Sequence, residues 1–338
     1  MSMKVGIVGT GFMGTTHAEA WRQTDAELHS CTSNHQKTTQ AFAEKYDIQG
    51  VPDLQSMLSD VDVVDICVPT YLHHGMVLQA ARAGKDIICE KPLSLTVEEG
   101  KEMIRVCEGE GVRLLVAHVV RYFPEYAAAR DQVLAGEVGK PAVIRLSRNA
   151  FQPSNERDNW YTDESKSGGM IMDLMIHDLD YARWVAGDVV RVFAKNITHS
   201  TSFDVPFDHA MAILTHESGA MSHIEGSWAM PKPIFNTSLE IAGADGLISY
   251  DSKKERPVDY AVRKSAEDEQ SVGLPSRPAA ESPFTSQIKD FYRALAEDAP
   301  ARITARDSLA AVRIARAAVE SSQTGKAVEI SNREEELV

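Results

Sequence analysis

The sequence predicts an α/β protein in two parts: an N-terminal dinucleotide-binding domain on a doubly wound parallel sheet, then a second domain on a mixed or antiparallel sheet with few helices. From Lys4 to about Val119, short β-branched runs alternate with segments of helical period, the signature of βαβ units. The first apolar run feeds directly into G-x-G-x-x-G at Gly9, Gly11 and Gly14. With 338 residues, 43% of them hydrophobic, the chain is long enough for two cores, because a single core stops growing near about 250 residues. The expected boundaries are 1–120 and 121–330, with the closing helices able to return to the first domain.

The strands read from the sequence are 4–8, 27–32, 63–68, 86–89 and 114–117, and the helices between them 13–23, 37–46, 53–58, 73–83 and 97–108. Gly84 suits the end of the fourth helix. Beyond Arg121 the rhythm changes to longer runs, 210–215 and 220–228, joined by the turn signal Glu217-Ser218-Gly219. Residues 252–283 are polar and proline-containing, with a charged patch from Lys253 to Arg256, and read as a surface loop. Helices over 284–297 and 305–324 close the chain before an acidic tail from Ser331, expected to fray.

The formal charge is −14, from 35 Lys and Arg against 49 Asp and Glu, a field that repels nucleic acid and anionic lipid. No apolar run reaches the roughly 20 residues a membrane span needs, and Met1-Ser2-Met3-Lys4 enters a strand without a secretory leader. Cys31, Cys67, Cys89 and Cys107 stand at no metal-like spacing and read as small core residues, so no metal and a reducing cytoplasm are expected.

In the turn Gly9-Thr10-Gly11-Phe12-Met13-Gly14, Gly9 permits the tight turn, Gly11 lets the backbone approach a pyrophosphate, and Gly14 lets the helix pack on the strand. A dinucleotide would lie on the helix N-terminus. The second strand of such folds normally ends in a carboxylate that holds the adenosine ribose. Here Ser33 takes that place, followed by Asn34 and Lys37, a set that favours NADP over NAD; an ordinary solvated Lys37 is the competing reading.

Glu90-Lys91-Pro92 follows directly on a strand, so Lys91 projects from the carboxyl edge where ligands of doubly wound folds bind. It can donate to a substrate oxygen that gains negative charge, or serve as a surface lysine before a proline. Pro69, Thr70 and His73, at the end of the preceding strand, are candidate walls of the same cleft, whereas adjacent His73 and His74 diverge too far to share a metal. The stretch 167–180 has a helical pattern that sets Asp173 and His177 one turn apart, an orienting carboxylate and a proton-transferring imidazole, or else a surface ion pair. No H-E-x-x-H, C-x-x-C, P-loop or G-x-S-x-G occurs.

Taken together, G-T-G-F-M-G at Gly9–Gly14, P-T-Y-L-H-H at Pro69–His74, A-G-K-D-I-I-C-E-K-P at Ala83–Pro92 and G-G-x-x-x-D-x-x-x-H-D at Gly168–Asp178 resemble the glucose-fructose oxidoreductase, inositol dehydrogenase and rhizopine-catabolism family (Gfo/Idh/MocA) over nearly the whole chain. The resemblance implies an NAD(P)-dependent enzyme that moves a hydride between the coenzyme and a secondary alcohol or ketone of a sugar or polyol. It also implies an N-terminal Rossmann domain, a C-terminal α/β domain on a large, mostly antiparallel open sheet, and a homo-oligomer, dimer or tetramer, assembled through the second-domain sheet. Lys91, Asp173 and His177 match the family's catalytic lysine, aspartate and histidine. Glu90 joins the coenzyme-binding set, and Arg121, Arg148, Trp160 and Tyr161 join the candidate substrate contacts beside Lys91, Asp173 and His177. Two departures stand out: Ser33 replaces an acidic residue common in the family, and Ser167 a glycine often found before Gly168-Gly169. A regulator that binds dinucleotide and a sugar-like ligand without turnover is the alternative on the same fold.

Overall fold

The apolar run Lys4–Val8 forms strand β1 at the middle of a six-stranded parallel sheet, where it is hydrogen-bonded on both sides. In this computed structural model, residues 2–153, 159–197, 208–254, 258–262 and 281–331 are described. After β1 come α1 (Phe12–Trp21), β2 (Glu27–Thr32), α2 (Gln36–Tyr46), β3 (Gln49–Gly50), α3 (Leu54–Met57) and β4 (Val63–Ile66). Then follow α4 (His73–Arg82), β5 (Asp86–Glu90), α5 (Val97–Glu110) and β6 (Leu114–Ala117). The strand order β3-β2-β1-β4-β5-β6 is that of dinucleotide-binding sheets. Helices cover both faces of such a sheet, so strands such as Val63–Ile66 and Leu114–Ala117 are buried at every residue rather than at alternate ones.

Local signals set the helix ends. Thr96 caps α5 through a reciprocal pair with Glu99, and Asp53 accepts from the Ser56 amide to start α3. Strand β4 stops at Ile66, two residues short of the sequence expectation, where its partner β1 ends at Val8; the Cys67 amide still donates to the Val8 carbonyl at 2.7 Å. Strand β5 runs one residue further than expected, to Glu90, because Glu90 still pairs with Ala117 of β6.

The chain divides into two units, the first comprising Met1–Tyr122 and Glu281–Val312. Helix α9 (Pro283–Glu297) packs on α1, and its Ile288, Phe291 and Ala294 enter the same apolar cluster as Val5, Ile7 and Trp21. The second unit comprises Phe123–Ala280 and Arg313–Leu337. It contains α6 (Pro124–Leu134), β7 (Pro141–Ala150), α7 (Glu164–Ser167), α8 (Ile176–Ala186), β8 (Val189–Ile197), β9 (His209–His216) and β10 (Met221–Ser227). Strands β11 (Phe235–Gly243), β12 (Gly246–Asp251) and β13 (Val258–Val262) follow, and α10 (Ala305–Thr324) leads into β14 (Val328–Glu329).

The second sheet has the order β13-β12-β11-β7-β10-β9-β8-β14, antiparallel except where β7 and β10 run parallel. Gly219, at φ +87°, makes the β9–β10 turn. Two expectations need correction. Part of the loop read at 252–283 is strand β13, paired with β12; residues 255–257 and 263–280, including Arg256 of the charged patch, lie outside the described residues, as does the tail from 332. The single helix read over 167–180 is instead α7, a break at Gly168 and Gly169 (φ +75° and +78°), a π turn over Ile171–Met175, and then α8. Two consecutive left-handed glycines cannot continue an α-helix. The π turn packs against β10 at Gly226, where a Cβ would lie 2.3 Å from the Met175 side chain.

Candidate functional site

Backbone crowding shapes the glycine turn in the first unit. Gly9 adopts φ +103°, and a Cβ there would lie 2.3 Å from the Cys67 carbonyl oxygen; a Cβ at Gly14 would lie 1.9 Å from the Gly9 carbonyl oxygen. Gly11 differs, since its Cβ would meet nothing within 4 Å. The turn is therefore closed against protein at two glycines and open at the third, the one that in such folds faces a pyrophosphate. No side chain caps α1, which leaves its first amides to a ligand. Thr10 and Met13 are half-buried and Phe12 is exposed beside the open position. These residues fit a dinucleotide coenzyme. Gly14→Ala forces α1 away from the turn, and NADH binding, followed by nicotinamide fluorescence, is expected to weaken about tenfold or more, since one misaligned charge-assisted hydrogen bond costs about 1.5–3 kcal/mol.

At the end of β2, the Ser33 hydroxyl lies 2.9 Å from Thr38 Oγ1 and 2.8 Å from Thr39 Oγ1, which draws it into the start of α2. Asn34, His35 and Lys37 stay exposed around it.

At the ends of β4 and β5, Pro69 and Lys91 are half-buried, whereas Thr70, His73 and Glu90 are buried. His73 has no accessible surface, and its ring nitrogens lie 2.9 Å from the carbonyl oxygens of Pro92 and Val68. It is a strut between the Val68 turn and the E-K-P turn, not the cleft wall expected from sequence; burial lowers its pKa and outweighs the carbonyl partners. His74 instead pairs with Glu102 at 2.9 Å.

Sequence reasoning missed a buried polar cluster beneath these turns. His17 of α1 places Nδ1 3.0 Å from both Asp65 oxygens and Nε2 3.2 Å from Glu90 Oε1, while Trp21 Nε1 donates to Asp65 at 2.8 Å. The signal was a histidine and a tryptophan four residues apart on a helix facing an aspartate inside an apolar strand. His17, Asp65 and Cys67 also approach closely enough to suggest a metal site. Burial, however, drives the Cys67 thiol far up, and the Asp65 carboxylate overcomes the burial of His17 to hold it protonated, so a metal would have to displace a proton from each.

In the second unit, Asp173 is buried in the π turn and His177 is half-buried in the first turn of α8. Ser167 accepts from the Gly169 amide at 2.9 Å and donates to the Tyr161 carbonyl at 3.0 Å, so the serine that replaces a family glycine organises the loop before the π turn. Trp160 and Tyr161 stack with centroids 4.1 Å apart, and Tyr161 lines a cavity with Gly168, Gly169, Ile171, Asn196 and Ser322. Two arginines expected to hold substrate are committed to protein partners instead. Arg148, on β7, is buried and makes a two-pronged pair with Asp178 at 2.7 and 3.0 Å. Arg121, 1% accessible, donates to the Arg302 carbonyl at 3.3 Å and lies 3.6 Å from Asp307.

Comparison with known proteins agrees with this architecture. Residues 3–118 match the model of an oxidoreductase family described as an NAD-binding Rossmann fold, and residues 126–249 match the GFO/IDH/MocA C-terminal domain. The chain is similar to 1,5-anhydro-D-fructose reductase of Ensifer adhaerens, at 28% identity over 96% of this chain and 98% of that one. It is also similar to inositol 2-dehydrogenase of Rhizobium meliloti, at 26% identity over 98% and 100%. In fold it resembles levoglucosan dehydrogenase solved with NADH and L-sorbose, at a TM-score of 0.88 and 24% identity over 98% of this chain and 100% of that one.

Proposed function

We propose a function that proceeds from family: the chain belongs to the Gfo/Idh/MocA oxidoreductases, an NAD-binding enzyme family, and within it this protein interconverts a secondary alcohol and a ketone of a sugar, inositol or related polyol. The observation that carries the reading is the placement of Lys91 at the carboxyl end of β5, on the same sheet edge as the open glycine turn at the end of β1. A nicotinamide coenzyme supplies the hydride acceptor or donor when bound. Gly9–Gly14, Ser33, Asn34, Lys37 and Pro69 are its proposed contacts. Lys91 donates to the substrate oxygen as charge develops there, His177 takes or returns the hydroxyl proton, and Asp173 orients His177 or a substrate hydroxyl. Trp160 and Tyr161 are kept as substrate contacts; Arg121 and Arg148 are not.

The test is a panel of inositols, aldoses and keto-sugars followed by nicotinamide absorbance with both coenzymes. Turnover of a member supports the reading. NADH binding without turnover of any of them favours the regulator on the same fold.

NADP is the proposed coenzyme of choice, because Ser33 turns inward and leaves exposed Asn34, His35 and Lys37 with no carboxylate at the strand end. An exposed charge pair is worth about 0.2–1 kcal/mol, so kcat/KM is expected to favour NADP by up to about fivefold. A strong NAD preference would overturn this.

A homo-oligomer is proposed through the second-unit sheet, whose outward rows expose Phe193, Met211, Ile213 and Met221. Contiguous apolar patches on that scale mark association surfaces. A Met211→Glu and Ile213→Glu double variant is expected to shift the light-scattering mass from oligomer to monomer, and a monomeric wild type would refute the proposal. Among the described residues, no helix is long and apolar enough to cross a membrane. The thiols are free, three of them buried, and a cytoplasmic location forms part of this proposal.

A further inference from the structure

We infer that His17 is a positioning residue for Lys91: held between the carboxylates of Asp65 and Glu90, its imidazolium ties the helix that begins at the glycine turn to the strand end that carries the lysine. The inference rests on the catalytic role proposed for Lys91.

Two strand ends converge on His17, which has no accessible surface. From the end of β4, Asp65 flanks Nδ1, and the Cys67 sulfur lies 3.4 Å from the same nitrogen. From β5, Glu90 Oε1 faces Nε2 at 3.2 Å, too oblique for a hydrogen bond but within ion-pair reach. Glu90 uses its other oxygen, Oε2, to accept the backbone N–H of Lys91 at 3.0 Å. Trp21, on the same helix as His17, donates to Asp65, and Cys89 and His73 sense the Glu90 charge from β5 and α4. A continuous line of contacts therefore runs from α1 through Glu90 to the peptide that sets the Lys91 backbone.

Two carboxylates buried this close together are tolerable only with a cation between them. The Asp65 carboxylate keeps His17 charged despite its burial. A neutral side chain at 17 leaves Asp65 and Glu90 facing each other without a cation between them; Glu90 relieves this by swinging away, which alters its grip on the Lys91 amide. A displacement of about 1 Å at a reacting group costs on the order of a hundredfold in rate.

The test uses the full chain with His17→Gln, Glu90→Gln and the double variant. Far-UV circular dichroism reads the fold, NADH fluorescence the coenzyme affinity, and nicotinamide absorbance kcat with a substrate found in the panel. Mass spectrometry reads the pH profile of Lys91 acylation by an amine-directed reagent. His17→Gln is expected to lower kcat at least about tenfold, with NADH affinity changed less than about threefold and the Lys91 acylation profile displaced. Adding Glu90→Gln removes the second buried carboxylate and is expected to restore turnover by about threefold or more over His17→Gln. Wild-type turnover and an unmoved Lys91 profile in His17→Gln would overturn the inference. So would a double variant no better than His17→Gln, with every readout falling in step with the folded fraction. If the wild type turns over nothing in the panel, the proposed function fails, and the acylation profile still reports whether His17 positions Lys91.

Discussion

Lys91→Met is expected to lower turnover at least about a hundredfold while leaving the fold and NADH binding intact. Methionine keeps most of the unbranched stem and removes only the ammonium, so packing around the E-K-P turn survives. The contact to Glu90 survives as well, because it uses the backbone amide of residue 91. What disappears is the donor that meets negative charge on the substrate oxygen, an interaction stronger in the transition state than in the ground state, and its loss therefore falls on kcat. Steady-state rates with a panel substrate and NADH fluorescence separate the two effects. A variant that binds NADH and turns over at the wild-type rate would remove Lys91 from the chemistry.

Arg148→Met carries the largest expected cost in stability. Arg148 sits on a central strand of the second sheet, between Gly226 of β10 and Thr237 of β11, with its guanidinium closed on Asp178. Desolvation works against that charge, but Asp178 prevails and raises the pKa of Arg148 beyond its already high value. Replacing the arginine strands a buried carboxylate, which costs about 3–5 kcal/mol. Urea unfolding of the variant should show its midpoint falling accordingly. Since Asp178 follows His177 directly in the first turn of α8, the His177 ring is expected to lose its orientation too. Asp178→Asn added to Arg148→Met should recover a large part of the stability, because a neutral amide buries at far lower cost. A single variant as stable as wild type would show that the pair contributes nothing.

The sequence made the parallel sheet legible because its central strands are buried on both faces and appear as short apolar runs between polar segments, Leu114–Ala117 being the clearest. The glycine turn was legible because Gly9 and Gly14 answer steric demands made by neighbours a few residues away or on the adjacent strand end. The π turn was not. Gly168 and Gly169 announce a break in any helix, but the widening that follows packs at Gly226, more than fifty residues along the chain. Arg121, Arg148 and His73 were misread for the same reason. Nothing local distinguishes an arginine that reaches substrate from one that closes on Asp178, or a histidine that lines a cleft from one pinned between two carbonyls. Their burial depends on long-range packing, as does the pairing that makes 258–262 a strand.

Redesign of coenzyme choice meets an obstacle in the hydroxyl trio of Ser33, Thr38 and Thr39. An aspartate introduced alone at position 33 would find alcohol donors on its inner side, Thr39 directly and Thr38 by releasing the His35 carbonyl, and would satisfy itself there rather than reach outward to a ribose. Switching preference toward NAD is therefore a three-position problem, in which both threonines must lose their hydroxyls before a new acid at the strand end is free to engage the adenosine sugar.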